Sequence, residues 1–425
     1  MPVFYRPVRN LHDSILSDLN IFFCHISDIE FSKRLVVILS ISISKYTFKF
    51  STSIEKIGQT IWDGLADGSS PFCQYSFLHA LETSESVGGK SGWQPFHLVI
   101  YQNSEPVGIL PLYKKTHSYG EYVFDFAWAN AYEQHGINYY PKLVAAIPFT
   151  PVTGARLMLS VNVDKQQLLP FLCQEITDQL ALSDMSSMHW LFVEQDISKL
   201  LQEHGQVQRQ AVQFQWINRQ YSSFEDYLTH FNSRKRKNVK KERQKVTTQG
   251  IKVVRLHGDN LTEENMRFFY DCYKQTYLKR SGHDGYLSEV FFQQIFRDLP
   301  HNLMLVIALK DEQPIASALF IFDQNQLCGR YWGALEEIHS LHFECCYYQG
   351  IEFCIEQNIA QFNPGTQGEH KILRGFEPIY CYSNHSLKEL SFHEAVERFV
   401  EQETPQIERY KENAEKLLPF RQAEN

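Results

Sequence analysis

No two of the nine cysteines are spaced C-x-x-C, and they are scattered along the chain rather than grouped. That excludes a zinc ribbon and a disulfide framework, and it places the protein, thiols reduced, in the cytoplasm. Long apolar runs are scarce too. LVVILSISI, Leu35 to Ile43, is far short of the roughly 20 residues that cross a bilayer, so no transmembrane segment is expected. Asp13, Asp18, Asp28 and Glu30 precede it, which is not how a secretory signal begins. An excess of positive charge is also missing: the net charge is -8, which excludes a surface wholly given to nucleic acid and leaves room for a local basic patch. There is no G-x-S-x-G elbow, His393 to Glu397 lacks the second histidine of a zinc-protease helix, and Gly88 to Ser91 (GGKS) has Ser84 where a P-loop needs glycine. Serine-hydrolase, metalloprotease and NTPase chemistry fall away, and no metal is expected.

Aromatics are abundant, with 31 Phe and 22 Tyr in 425 residues. A chain of this length outgrows a single core, so two domains are expected. An internal repeat agrees. FHLVIYQNSEPVGILPLY (96 to 113) and LMLVIALKDEQPIASALFIF (303 to 322) each read as strand, polar turn and strand, and Pro106 falls on Pro314 with a shift of 208 residues. A third strand is expected from Leu327 to Leu335. Leu341, Cys345, Tyr348, Ile351, Ile355, Ile359 and Phe362 then recur at helical spacing and predict one amphipathic helix of five or six turns. In the first half the matching parts are an aromatic insert from His117 to Tyr140, a strand from Leu143 to Ile147 and a helix from Gln166 to Leu182. The pattern is α/β, a mixed sheet with helices on its faces. The tail from Phe392 to Leu418 is helical by pattern and broken at Pro405.

Arg330-Tyr-Trp-Gly333-Ala-Leu335 approaches the Q/R-x-x-G-x-G/A pyrophosphate loop of acyl-CoA acetyltransferases, with Leu335 in place of the last small residue. Together with SVGGKSGWQPFHLVIY, HSYGEYVFDFAWANAYE, YYPKLVAAIPFTPVTGARLML, FNSRKRKNVKKERQKV and NPGTQGEHKILRGFEPIYCYS, it gives a chain that resembles the FemAB-like family, described as peptidoglycan biosynthesis or recognition proteins within the GNAT acyltransferase superfamily. The resemblance runs in order from about Phe48 to Leu390. It implies two tandem GNAT-like (acyl-CoA N-acyltransferase) domains, 47 to 215 and 216 to 390, between an extension over 1 to 46 and C-terminal helices over 391 to 425. It also implies N-acyl or aminoacyl transfer to an amine, with a cell-wall precursor peptide as acceptor and acyl-CoA or aminoacyl-tRNA as donor. The reading from another class is a non-catalytic module that binds a peptide, a cell-wall precursor or RNA.

Transfer to an amine needs a proton acceptor and a stabilised carbonyl oxygen. Glu344 and Tyr348, four residues apart on the expected helix, are the catalytic candidates. A structural ion pair is the competing role for Glu344. Arg330 and Gly333, with Lys371 and Arg374 in the glycine-rich stretch Phe362 to Tyr380, are expected to hold the donor's phosphate or a carboxylate. So are Arg236 and Lys237, within SRKRKNVKKERQKV. That run has eight Lys or Arg against one acid; tRNA, an anionic membrane surface and plain solvent are its three competing neighbours. His117, Tyr119, Glu121, Asp125 and Trp128 suit a peptide or amine acceptor, and an ordinary strand pair is the alternative. Thr153 and Arg156, in PFTPVTGARL, form either an anion-binding turn or a plain one.

Overall fold

Pro111 separates two strands that end up in different sheets. In the computed structural model, which describes residues 45–366 and 368–421, a four-stranded sheet and an eleven-stranded sheet share the chain. The expected extension over 1 to 46 lies outside the described residues up to 44. The first half supplies β1 (Thr47–Ser51), β2 (Trp93–Pro95), β3 (His97–Gln102), β4 (Glu105–Leu110), β5 (Leu112–Lys115), β6 (Lys142–Ala145), β7 (Met158–Leu159), β8 (Ser187–Val193) and β9 (Val207–Ile217). The second supplies β10 (Ile251–His257), β11 (Leu303–Lys310), β12 (Gln313–Phe322), β13 (Gln326–Ala334), β14 (Gln361–Asn363) and β15 (Glu377–Leu387). The small sheet is β1-β3-β4-β7 and the large one β10-β11-β12-β13-β14-β9-β15-β8-β6-β5-β2. Proline has no N–H to give to a ladder, so the chain bends at Pro111 and β5 joins the large sheet.

The repeat holds in register. Tyr101 pairs with Pro106 and Leu309 with Pro314. The irregularity falls between Ile100 and Tyr101 in one hairpin and between Ala308 and Leu309 in the other, the same shift of 208 residues that the sequence shows. Further along, each half has one parallel pair, β6 with β8 and β13 with β14, and a helix crosses between the two strands. The closing strands are then exchanged. β9 pairs with β14 of the second half, β15 pairs with β8 of the first, and β9 and β15 pair with each other to make the sheet continuous.

Two expected elements differ. The helix begun at Leu341 passes through a π-helical turn, Glu344–Tyr348, and ends at Glu356. Asn358, in the left-handed region at φ 55°, stops it. Ile359 and Phe362 keep helical spacing and are buried, but Phe362 lies on β14. The C-terminal helix, Leu390–Glu415, runs straight through Pro405. Pro405 and Glu401 are both exposed, so the carbonyl that loses its donor faces water. Val396, Val400 and Ala414 hold the inner face down. In the aromatic insert, Phe126–Gln134 is a helix. No helix among the described residues is long and apolar enough to cross a membrane.

Candidate active site

β13 and β14 stay paired only from Gln326 opposite Gln361 to Cys328 opposite Asn363. β13 then runs on to Ala334, while the chain after Asn363 leaves through Pro364 and Gly365 into the 3-10 turn Glu369–Arg374. The gap between them is a cavity of about 670 Å³. Gly329 to Trp332 form one wall, and Gly365, Thr366, Gly368, His370 and Lys371 form the other. His342, Cys346 and Tyr347 reach in from the helix containing the π-helical turn, and Tyr273, Thr276, Tyr277 and Arg280 from the helix Glu263–Ser281. Tyr122 comes from the first half. In all, six tyrosines line the space, and among the described residues no Asp or Glu does. Trp332 and His342 also border an adjoining groove that contains Glu336 and Glu337.

The lining is electrostatically unusual. Lys371 is 1% exposed, and the partner of its Nζ is the Gly365 carbonyl at 2.6 Å. Burial brings its amine down to about 7, with Cys346 acting weakly in the other direction. Burial also lowers His342 to about 3, helped by the positive charges of His370, Arg280, Lys371 and Arg374. Tyr347 shares a hydrogen bond with His370 Nε2 at 2.7 Å. Arg330 donates from Nη2 to the Phe149 carbonyl of the first half, and its buried Nε has no partner.

Of the residues expected to hold the donor, Arg330 and Lys371 line this cavity and the others do not. Gly333 sits on β13 beneath the helix Glu263–Ser281, where a Cβ would come within 1.9 Å of the Cys272 carbonyl oxygen. Arg236 and Lys237 lie on the basic helix Ser233–Thr248, Lys237 exposed. Arg374 donates to Glu242 at 2.7 Å, to Tyr348 Oη at 3.1 Å and to the His370 carbonyl at 2.7 Å, and it stacks 3.5 Å from the centre of the Phe343 ring.

Glu344 and Tyr348 come together on one side of the π-helical turn, facing the basic helix. Arg243 grips Glu344 with Nε and Nη2 and Glu352 with Nη1 at 2.6 Å. Tyr348 donates to Glu242, the carboxylate that also holds Arg374. This clamp sets the orientation of the helix. The cavity is met instead by His342, Cys346 and Tyr347 on the helix's other side, off the apolar stripe that helical spacing picks out.

The first-half candidates form a separate, buried cluster. Lys142 Nζ donates to Glu121 at 2.9 Å, to Ser118 at 2.9 Å and to Asp125. Burial raises Glu121 against the pull of Lys142; for Asp125 the same burial is outweighed by Lys142, Ser118 and Tyr139, so its carboxyl sits below the usual range. Tyr139 links Asp125 to His189, which meets His385 at 2.6 Å. Trp128 packs on His385, His117 is half-buried and Tyr119 is exposed.

The notch of the first half that corresponds to the cavity is filled by the chain itself. Past the last parallel pair, Ala145 with Trp190, the segment 148–156 folds back on β8. Gly154 N donates to the Phe192 carbonyl at 3.1 Å, and Arg156 Nε to the Leu191 carbonyl at 3.0 Å. The rest of the buried Arg156 guanidinium is taken up by the Val152, Gly154 and Ala155 carbonyls. Thr153 Oγ1 is buried there without a partner.

Two copies of one unit, each with a pair of parallel strands that part company, define a tandem GNAT-type α/β fold. The chain belongs to the FemAB-like family, described as peptidoglycan biosynthesis/recognition, whose profile matches residues 53–422. Among solved structures it is similar to FemX (10% identity, 80% of this chain and 96% of that one, TM-score 0.48). It is also similar to a tandem GNAT protein from the clavulanic acid biosynthesis pathway (10%, 81% and 99%, 0.41) and to L-PGS from Bacillus licheniformis (10%, 76% and 96%, 0.44). No curated protein sequence matches it.

Proposed function

We propose that this protein transfers an acyl or aminoacyl group to an amine in the cavity between β13 and the turn Glu369–Arg374. The observation that carries the reading is the lining: Arg280, Arg330 and Lys371 face a tyrosine-walled space that no described carboxylate enters. Guanidinium groups suit phosphate or carboxylate, and tyrosine rings suit the planar or apolar body attached to it. Both candidate donors, acyl-CoA and aminoacyl-tRNA, carry phosphates. A cell-wall precursor peptide is the acceptor that the family description favours. Tyrosine hydroxyls and the Arg330 guanidinium are the groups placed to meet charge growing on the donor's carbonyl oxygen.

In this reading Glu344, Tyr348 and Arg374 are positioning residues, which hold the helix that carries His342, Cys346 and Tyr347. The exposed cations of the basic helix, Lys237 among them, are assigned to the tRNA backbone, with Arg236 at their edge. Glu121 and Asp125 flank Tyr122, which lines the cavity, and Phe149 backs it by accepting from Arg330 and stacking on Tyr286; Trp128, His117 and Tyr119 support the first half away from the lining. Thr153 and Arg156 brace the segment that carries Phe149.

The test is the melting temperature with acetyl-CoA, longer acyl-CoAs, uncharged tRNA and aminoacyl-tRNA in turn. A ligand at about 100 times its dissociation constant adds roughly 2.7 kcal/mol to the folded state. Stabilisation by an acyl-CoA, lost in Arg330→Met, identifies a thioester donor. Stabilisation by charged over uncharged tRNA identifies an ester donor. No response to any donor, with tight binding of a precursor peptide, makes the protein a recognition module.

A further inference from the structure

We infer that Lys371 is the group that takes the proton from the acceptor's ammonium and returns it to the departing donor, an inference that rests on the transferase reading above. Three features of its surroundings support this role. First, the side chain is buried, yet it lines the cavity. Second, among the described residues its Nζ has one partner, the Gly365 carbonyl, and no salt bridge. An ammonium brings three N–H donors and would leave two of them unmet, whereas a neutral amine keeps one N–H on Gly365 and has a lone pair left over. Third, the titratable groups around it offer no negative charge to hold a proton in place. Cys346 and His342 face it from the helix with the π-helical turn, Arg280 from the helix Glu263–Ser281, Arg330 from β13, and His370 from its own turn. All are neutral or positive. Burial moves the amine to about 7, so it can gain and lose a proton near neutral pH.

The position is built by the backbone. Gly365 is in the left-handed region at φ 92°, turning its carbonyl toward the incoming lysine, and Lys371 N donates to the Gly368 carbonyl to close the 3-10 turn. The step then balances. The Lys371 lone pair accepts a proton from R–NH3+. The freed amine nitrogen forms a C–N bond to the donor's carbonyl carbon, and the carbonyl's bond to oxygen (ester donor) or sulfur (thioester donor) breaks. The attacking nitrogen, acidic once bonded to the carbonyl carbon, gives up its second proton to water, while the Lys371 ammonium returns its own proton to that alkoxide or thiolate, which leaves as alcohol or thiol, and the lysine is neutral again.

The experiment uses the full chain and pyridoxal 5′-phosphate, an aldehyde that carries a phosphate. Its aldehyde condenses with an unprotonated amine, losing water, and borohydride fixes the bond for peptide mapping. An amine titrating at about 7 rather than at the usual lysine value of about 10.4 holds roughly six-hundredfold more neutral form at pH 7.5. The expected result is Lys371 as the dominant label at that pH, about tenfold or more above any surface lysine. Labelling of Lys371 that rises only toward pH 10 overturns the inference. On whichever donor is turned over, Lys371→Arg and Lys371→Met are expected to lose about a hundredfold or more in kcat while KM for the donor moves little. Turnover by Lys371→Arg close to the native rate overturns the inference and leaves the transferase reading standing. Failure of the native protein to turn over any donor overturns the transferase reading itself, and the labelling profile tells the two failures apart.

Discussion

Arg243 holds Glu344 with two hydrogen bonds, Nε to Oε2 at 3.0 Å and Nη2 to Oε1 at 2.8 Å, across the space between the basic helix and the π-helical turn. The carboxylate is 5% exposed, and its Oε1 also accepts from Gln349 at 2.8 Å. Removing the charge leaves a guanidinium half-buried against Phe224 with half its partners gone. Glu344→Gln is therefore expected to cost about 2 kcal/mol in urea unfolding. The double variant with Arg243→Met should cost less than the sum of the two singles, as interacting partners do. A fall in turnover that exceeds this loss and survives full folding would give Glu344 a chemical role instead.

Gly333→Ala is expected to be severe and Gly154→Ala mild, although both glycines lie in stretches that read as ligand loops. At Gly333 the new methyl meets the Cys272 backbone, which cannot step aside. At Gly154 the nearest atom is the Arg156 Nη1 at 3.8 Å. We expect a loss of about 3 kcal/mol for the first and less than about 0.5 kcal/mol for the second, both read from denaturation midpoints.

Stability should climb with pH above neutrality through two lysines. Burial lowers both Lys115 and Lys371 to about 7; Glu121 opposes the shift at Lys115. From about pH 7 to the unfolded value of about 10.4 the unfolded chain binds the extra proton, so stability rises with pH across that window and is lost as pH falls through the folded value. The native protein should gain on Lys371→Met by up to about 1.4 kcal/mol per pH unit there. Equal slopes for the two proteins between pH 7 and 8.5 would show that the folded lysine keeps its proton.

The basic helix offers a separable test of the nucleic-acid partner. Val239, Glu242, Arg243 and Val246 face inward, while Lys237, Lys241 and Lys245 are exposed. Lys237→Glu with Lys241→Glu should leave the melting temperature unchanged and weaken tRNA binding. The slope of log K against log salt should shrink by roughly 0.7 to 0.9 for each phosphate that is no longer neutralised. An unchanged slope would return this face to plain solvent.

The hairpins were legible because alternation and turn chemistry are local, and so was the repeat; the register irregularity that the two hairpins share depends on strand pairing and shows only in the fold. The family could be read from long stretches such as NPGTQGEHKILRGFEPIY. The cavity could not. Its tyrosines lie between residues 122 and 347, and they converge only because β13 and β14 part, which depends on pairing across the sheet. Periodicity found the buried stripe of the helix at Leu341 but ran past its end, since Ile359 and Phe362 are apolar for β14's sake. In the glycine-rich stretch the sequence marked Lys371 and Arg374 alike as anion holders. The fold separates them: Arg374 is engaged by Glu242, and Lys371 is left in the cavity with a carbonyl.

The exchange of β9 and β15 bears on how the chain is made. Strand β8, complete at Val193, waits for a neighbour that starts at Glu377. At about 5–20 residues per second of synthesis, that delay is on the order of ten to forty seconds. Throughout it the amino-terminal half has an open edge on the ribosome, and a chaperone or the nascent β9 is what can cover it. A truncation before Glu377 would thus release a protein whose earliest-made half is the part left unfinished.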